Sequence, residues 1–157
     1  MKIHLWSLGR DHEKYVEPGV KDFTKRISNY FSVSWKIIPL LKNAGLLSEA
    51  DLKRKEAEAV LKLLSDQDYL IALDERGKML TSPHLAGLLS QCANESRKNV
   101  IFLIGGAYGL DPSILKRANY ILSLSALTFP HQLVRLILAE QVYRACTIMR
   151  NEKYHHL

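Results

Sequence analysis

Three short runs of apolar residues, separated by segments with helical spacing, most constrain what this chain can fold into. The runs lie at 69–73, 100–104 and 120–124, and none of them alternates strictly with polar residues. Strands of a parallel sheet that is covered by helices on both faces have this continuous apolar character. The pattern therefore predicts an α/β fold with a mostly parallel sheet flanked by helices.

The remaining segments add two strands and five helices to this sheet. The strands are expected at 2–9 and 32–41, and the helices at 11–31, 48–65, 81–96, 112–118 and 130–150. Pro18 makes the beginning of the first helix uncertain, because an interior proline breaks or kinks a helix. Ser48 and Ser82 are predicted N-caps, and Pro83 is expected at the first helical position. A polar turn is predicted at Gly77, after the first of the three apolar runs.

The composition excludes several kinds of protein. The 157 residues are 47% apolar and 24% charged, with 8 glycines and 5 prolines, unlike a disordered chain, a collagen or a coiled coil. Because no repeat or linker divides them, residues 1–157 are predicted to form one domain. The start "MKIHLWSLGRDHEK" lacks a signal-peptide pattern, and no apolar run approaches the roughly 18 residues of a membrane helix. Cys92 and Cys146, without CxxC spacing, are interpreted as reduced, packed thiols of a cytoplasmic protein.

The net charge favours a polyanionic partner. It is +6 with a sequence pI near 9.3, and from Pro112 onward six lysines and arginines face two acidic residues. Nucleic acid is the commonest polyanion in a cytosol, although many basic cytosolic proteins bind none. RNA or DNA binding is therefore one of two interpretations that the charge leaves open.

The last helix predicts a partner subunit. Five apolar residues are distributed nearly all the way round this helix: Leu133, Val134, Leu136, Ile137 and Leu138. Because one sheet covers only one stripe of a helix, a second cover is needed, and a symmetric homodimer supplies it most simply. The alternative is a helix that its own chain covers on both sides.

Three loops follow the apolar strands and form the candidate ligand site. They are "DERG" after Leu73, "GGAYG" after Ile104 and "SALTFP" after Leu124, and ligands of open α/β sheets bind beyond such strand ends. The glycine loop is neither GxGxxG nor a P-loop, which favours a smaller, adenosine-like ligand lying on the backbone of Gly105 and Gly106. The alternatives are a tight glycine turn and a plain strand-to-helix connection.

Polar residues of the last helix and the tail are the candidate chemical groups. His131 and Arg135 are spaced i,i+4 near the helix N-terminus, and Glu140 and Arg144 repeat this spacing as a helix-surface ion pair or as functional groups. The tail carries Tyr154, His155 and His156, which can stack on a base or form an ordinary frayed end. No third ligand joins the two tail histidines, so no metal site is expected.

These segments together resemble one family. The stretches "MKIHLWSLGR", "LIALDERGK", "FLIGGAYGL", "LSLSALTFPHQLVRLILAEQVYRA" and "YHH" are similar to the RlmH family of ribosomal RNA methyltransferases, within the SPOUT superfamily. The resemblance implies methyl transfer from S-adenosyl-L-methionine to N3 of pseudouridine 1915, in helix 69 of 23S rRNA on the assembled 70S ribosome. It also implies a homodimer and a C-terminal trefoil knot over about residues 70–157, which general topology rules disfavour.

The resemblance assigns site residues position by position. The implied cofactor contacts are Leu73, Gly105, Leu124, Ser125, Ala126, Leu127, Thr128 and Phe129. The implied catalytic groups are His131, Tyr154 and His155, and the implied RNA contacts are Arg135 and Arg144. His156 stands where the family often has an arginine. The alternatives are a SPOUT methyltransferase acting on another rRNA or tRNA base, and a non-catalytic ribosome-binding assembly factor.

Overall fold

A five-stranded parallel sheet organises the computed structural model, which describes residues 1–156. The strand order is β2-β1-β4-β3-β5, and every neighbouring pair is parallel. The elements along the chain are β1 (Lys2–Leu8), α1 (Glu17–Ile27), β2 (Ser32–Ile38), a 3-10 turn (Ala44–Leu46), α2 (Glu49–Leu63), β3 (Tyr69–Met79), α3 (Ser82–Asn94), β4 (Asn99–Ile104), α4 (Pro112–Arg117), β5 (Tyr120–Ser123) and α5 (His131–Met149). The predicted α/β class is confirmed.

Helices cover both faces of the sheet and explain the continuous apolar runs. In the central strand β4, Phe102 packs with α1, α3 and α5 on one face, while Leu103 packs with α2 and α4 on the other. Both side chains are fully buried. Because alternate residues of a strand point to opposite faces, a strand between two helical layers needs apolar residues at every position.

Strand β3 is longer than the sequence predicts. The polar turn expected at Gly77 is wrong, because β3 continues to Met79 after its pairing with β5 shifts register between Leu73 and Lys78. A Cβ atom on Gly77 would lie 2.7 Å from backbone atoms of Ile121. The glycine therefore permits a close approach of two strands instead of a turn.

Two helix starts differ from their predictions, that of α3 by one residue at the cap and that of α1 by six residues. Ser48 is confirmed as the N-cap of α2, where its hydroxyl accepts a hydrogen bond from the Asp51 amide at 3.2 Å. Thr81, not Ser82, caps α3, so the predicted cap is wrong by one residue. Helix α1 begins only at Glu17, which leaves Pro18 in the first turn, where no intrahelical amide bond is lost.

The two cysteines are buried, as predicted for packed thiols. Burial raises the pKa of Cys92 to about 11 and that of Cys146 to about 12. Both side chains therefore stay as neutral thiols in the apolar layer formed by α1, α3 and α5.

Helix α5 receives cover from its own chain on two sides. It packs against both α1 and α3 while Leu138 is buried toward the sheet. The apolar residues on its flanks, such as Leu133 and Ile137, are half-buried. The alternative of cover within the chain thus holds for much of the helix, and the homodimer stays a prediction.

The C-terminal trefoil knot, over about residues 70–157, also stays a prediction from the resemblance. Leu157 lies outside the described residues. Within residues 1–156, no helix combines the length and apolar character needed to cross a membrane.

Candidate active site

A cleft of about 840 Å³ opens at the carboxyl ends of β4 and β5 and of the part of β3 that pairs with β4. The three segments selected from the sequence form its walls, although the first of them, DERG, continues β3 and is not a loop. All eight residues expected to contact a cofactor line it: Leu73, Gly105, Leu124, Ser125, Ala126, Leu127, Thr128 and Phe129. The structure thus brings one set of predicted residues together from three separate parts of the chain.

The glycine loop after β4 is a tight turn that also keeps the cleft open. Gly106 and Gly109 form an antiparallel bridge, and Gly109 has a φ of +80°. A Cβ atom on Gly105 would lie 3.1 Å from the Gly109 carbonyl carbon and 3.2 Å from the Leu110 side chain. Both interpretations of the glycines therefore fit the geometry, since the turn needs glycine and its backbone faces the cleft.

The loop after β5 uses its serines to hold its own shape. The Ser123 hydroxyl donates to the Ser125 carbonyl at 3.1 Å, and the Ser125 hydroxyl accepts from the Leu127 amide at 2.9 Å. Leu127 is 72% exposed at the edge of the cleft. The cleft thus offers a short, fixed backbone segment with small and apolar side chains, which suits the flat apolar faces of an adenine.

Charged residues in the cleft lining come from α2 and from the register shift of β3 between Leu73 and Lys78. The Asp74 carboxylate accepts hydrogen bonds from the Arg76 guanidinium at 2.8 and 3.0 Å, and this pair lowers the pKa of Asp74. Lys53 is half-buried, whereas Glu75 is exposed. A ligand with both an adenosine part and a charged amino-acid part would find partners for each in this lining.

A second polar group, here named the tail cluster, consists of Glu140, Arg144, Tyr154 and His155. The Arg144 Nε donates to the Glu140 carboxylate at 3.0 Å, and the Tyr154 hydroxyl donates to the same oxygen at 3.0 Å. The Arg144 guanidinium stacks 4.6 Å above the Tyr154 ring and lies 3.4 Å from the His155 Nδ1. Burial and then the Glu140 carboxylate raise the pKa of Tyr154, so its phenol stays protonated as a donor.

From the sequence, Glu140 was predicted only in combination with Arg144, as a helix-surface ion pair or as a pair of functional groups. The ion pair with Arg144 exists, and the tail folds back onto it, so Glu140 holds two candidate functional side chains at once. Two features of the sequence could have indicated this role: the i,i+4 spacing of Glu140 and Arg144, and the hydrogen-bond donors in the tail.

The structure does not bring the tail cluster to the cleft of the same chain. None of its four residues lines the cleft, and His131, the first residue of α5, does not line it either. Val134, one turn further along α5, does. Within one chain, Tyr154 and His155 are therefore absent from the cleft lining, whereas His131 lies next to it in the chain, between Phe129 and Val134.

Arg135 is placed differently from its predicted role as an RNA contact. It is fully buried, its Nε donates to the Ser7 hydroxyl at 2.9 Å, and one terminal nitrogen lies 3.3 Å from the His12 Nδ1. A side chain without solvent exposure cannot touch RNA in this conformation, so the structure corrects that prediction. The missed signal is helical spacing, which puts Arg135 on the same buried stripe as Leu138 and Val142.

The buried arginine affects its histidine neighbour. Burial and then the nearby Arg135 charge lower the pKa of His12, which packs edge-on against Trp35 with ring centroids 4.8 Å apart. A neutral His12 can accept a hydrogen bond from the guanidinium through Nδ1, and a protonated one cannot.

Residues 1–156 contain no group of three or more His, Cys, Asp or Glu side chains that could hold a metal ion.

The fold and the cleft define the class of α/β proteins that hold a small ligand beyond the carboxyl ends of a parallel sheet. Within that class, the chain belongs to the SPOUT methyltransferase family: the family model described as "Predicted SPOUT methyltransferase" matches residues 1–155.

Relatives of the same length support this membership. Proteins named "Ribosomal RNA large subunit methyltransferase H" are 43% identical in Cytophaga hutchinsonii, over 99% of this chain and 100% of the relative. Those of Flavobacterium johnsoniae and Desulforamulus reducens are 44% and 42% identical, over 99% of both chains. A solved structure of a probable methylase family protein from Haemophilus influenzae has the same fold, with a TM-score of 0.55 at 12% identity, covering 99% of this chain and 70% of that one. The family resemblance found in the sequence is confirmed.

Proposed function

We propose that this protein transfers a methyl group from S-adenosyl-L-methionine to N3 of pseudouridine 1915 in 23S rRNA, within the assembled 70S ribosome of a bacterial cytoplasm. One observation carries the proposal: all eight residues matched to the family's cofactor contacts line a single cleft at the carboxyl ends of β4 and β5 and of the part of β3 that pairs with β4. Full-length relatives named as large-subunit rRNA methyltransferases support ribosomal RNA as the substrate. The net charge of +6 agrees with an RNA partner.

The cleft residues fit the proposed cofactor. The backbone at Gly105 and the small segment 124–128 would hold the adenosine, and Lys53 would attract the carboxylate of the methionine part. S-adenosyl-L-methionine, when bound, supplies an electrophilic methyl group on a positively charged sulfur. The protein's own contribution is to hold the acceptor nitrogen in line with that methyl group, which lowers the barrier through positioning.

The tail cluster would handle the RNA base. Tyr154, held by its bond to Glu140, would stack on or orient the pseudouridine, and Arg144 would contact an RNA phosphate. The N3 proton leaves as the new N–C bond forms, and His155 or His131 would accept it as a neutral imidazole. Because the cluster does not line the cleft of its own chain, a homodimer would deliver it to the cleft of the partner.

Calorimetric titration with S-adenosyl-L-methionine tests the cofactor. Binding is expected for the wild-type protein, and Gly105→Ala should weaken it by roughly tenfold, because the added methyl group displaces the loop. Gly87→Ala is the matched control, since a Cβ atom on this helical glycine meets no atom within 4 Å. A folded protein without any cofactor binding would leave the assembly-factor alternative.

Methyl mapping tests the substrate. Labelled cofactor is incubated with the protein and, in separate reactions, with free rRNA, large subunits, 70S ribosomes and tRNA, and the methylated base is located by mass spectrometry. Methylation of N3 of pseudouridine 1915 in 70S ribosomes is expected. Labelling of free rRNA alone, or of another base, would contradict the proposed substrate.

Mixing two inactive variants tests the dimer. A protein carrying Gly105→Ala together with a bulkier cleft change, Ala126→Trp, is mixed with Tyr154→Ala. If the tail acts on the partner's cleft, heterodimers contain one intact site, and about a quarter of wild-type activity should return at equal mixing. No recovery, with subunit exchange demonstrated by labelled chains, would contradict the shared site.

A further inference from the structure

A buried carboxylate lies beneath the cleft without a partner. Glu56 of α2 is only 7% exposed, and neither a hydrogen bond nor a neighbouring charge within residues 1–156 acts on its carboxylate. Burial raises the pKa of this carboxyl, and no neighbouring charge opposes the effect. Burying an acid without compensation destabilises a fold, so its presence calls for a function.

The carboxylate faces the glycine loop of the cleft, on the side where a Gly106 side chain would lie. A Cβ atom on Gly106 would lie 3.3 and 3.4 Å from the two Glu56 oxygens. Gly106 lines the cleft, and so does Lys53, which precedes Glu56 by one turn of α2. Gly106 therefore lines the cleft and leaves the space next to this carboxylate free of a side chain.

The other acids of the cleft are placed so that they act weakly on a ligand. Asp74 is neutralised by its ion pair with Arg76. Glu75 is exposed, and water screens an exposed charge. Glu56 is thus the mostly buried acid beside the cleft that has no ion-pair partner in the described part of the chain, and a cation in the cleft would stabilise its ionised form.

We propose that Glu56 is a charge-selecting residue of the cofactor cleft, whose carboxylate favours a cationic methyl donor over the neutral product. The inference rests on the proposed function, because it takes the ligand to be S-adenosyl-L-methionine. The donor carries a methyl group on a positively charged sulfur, and the product, S-adenosylhomocysteine, lacks both that methyl group and the charge. The attraction therefore holds the donor before transfer and disappears once the methyl group has left, which assists product release.

Binding measurements on charge-matched variants test this role. The dissociation constants of S-adenosyl-L-methionine, S-adenosylhomocysteine and sinefungin, whose amine places a positive charge near the position of the sulfur, are measured by calorimetry. Glu56→Gln keeps the shape and removes the charge, and should weaken both cationic ligands by roughly three- to tenfold relative to the neutral product. Glu58→Gln, an exposed acid of the same helix with the same change in net charge, should leave the ratio unchanged.

The outcomes separate the inference from the proposed function. If the wild-type protein binds all three ligands and Glu56→Gln leaves the ratio of cationic to neutral ligand affinities unchanged, the inference alone is overturned. An equal loss of affinity for all three ligands overturns it as well, because it would indicate a packing effect. Failure of the wild-type protein to bind any of them overturns the proposed function. Glu56→Leu is the second neutral variant if Glu56→Gln fails to fold, and the same fall in ratio is expected from it.

Discussion

Two arginines of helix α5 have similar surroundings in the sequence and opposite surroundings in the structure. Arg135 follows a histidine by four residues and Arg144 follows a glutamate by four. Arg135 is fully buried between β1 and the following loop, bonded to Ser7, whereas Arg144 is partly exposed and stacked under Tyr154. The helix thus carries one arginine that connects elements of the fold and one that is partly exposed beside the tail.

Removing Arg144 should have the largest effect on activity. Arg144→Ala loses the proposed phosphate contact and the stacking on Tyr154, and the methylation rate on 70S ribosomes should fall by roughly a hundredfold. The calorimetric affinity for S-adenosyl-L-methionine should stay within about twofold of wild type. Arg144→Lys, which keeps the charge but loses the planar fork, should recover part of the rate. Equal losses of rate and cofactor affinity would contradict the division between cleft and tail cluster.

Removing the hydrogen-bond partner of Arg135 should lower the stability of the fold and should not change the kinetics of methylation. Ser7→Ala leaves the Arg135 Nε without an acceptor beside a terminal nitrogen that already lacks one, and should lower the free energy of unfolding by about 1–3 kcal/mol. Urea denaturation measures the loss, with exposed Ser32→Ala as the matched control. A raised KM for ribosomes at unchanged stability would indicate that Arg135 serves the RNA after all.

Removing one hydroxyl from the tail should slow catalysis moderately. Tyr154→Phe loses the bond to the Glu140 carboxylate, and kcat on ribosomes should fall by about tenfold, because bonds to charged groups are stronger than neutral ones. Tyr120→Phe on β5 applies the same change away from the tail and should have no effect on kcat. If Tyr154→Ala and His155→Ala both kept the wild-type rate, the proposed role of the tail would be wrong.

The smallest expected effect is a pH dependence of stability near Arg135. The folded-state pKa of His12 is lowered from 6.5, so the unfolded chain binds the proton more readily. Stability should therefore be unaffected above pH 6.5 and should fall as the pH drops from 6.5 toward the lowered pKa. Thermal unfolding of wild type and His12→Asn across this interval measures the difference, and identical curves would show that the Arg135 contact does not depend on a neutral histidine.

Much of the fold followed from local patterns. The three continuous apolar runs predicted a parallel sheet with helices on both faces, and the strand ends identified the three segments that form the cleft. Ser48 was recognisable as a cap because capping is decided within one helical turn. Gly77 was misjudged, since its role depends on how closely β5 approaches β3, and the sequence around it carries no sign of that distance.

The sequence by itself determined the fold class, because apolar periodicity is a local property of the chain. The resemblance of its motifs to a known family supplied the family and the eight predicted contacts that line the cleft. Only the tertiary structure decided which arginine is buried, that Glu140 holds the tail, and that Glu56 stands unpaired beneath Gly106. Each of these depends on contacts between residues far apart in the chain. The function of a charged side chain depends on its burial and on its interaction partners. Both are established only after the helices and strands have packed together.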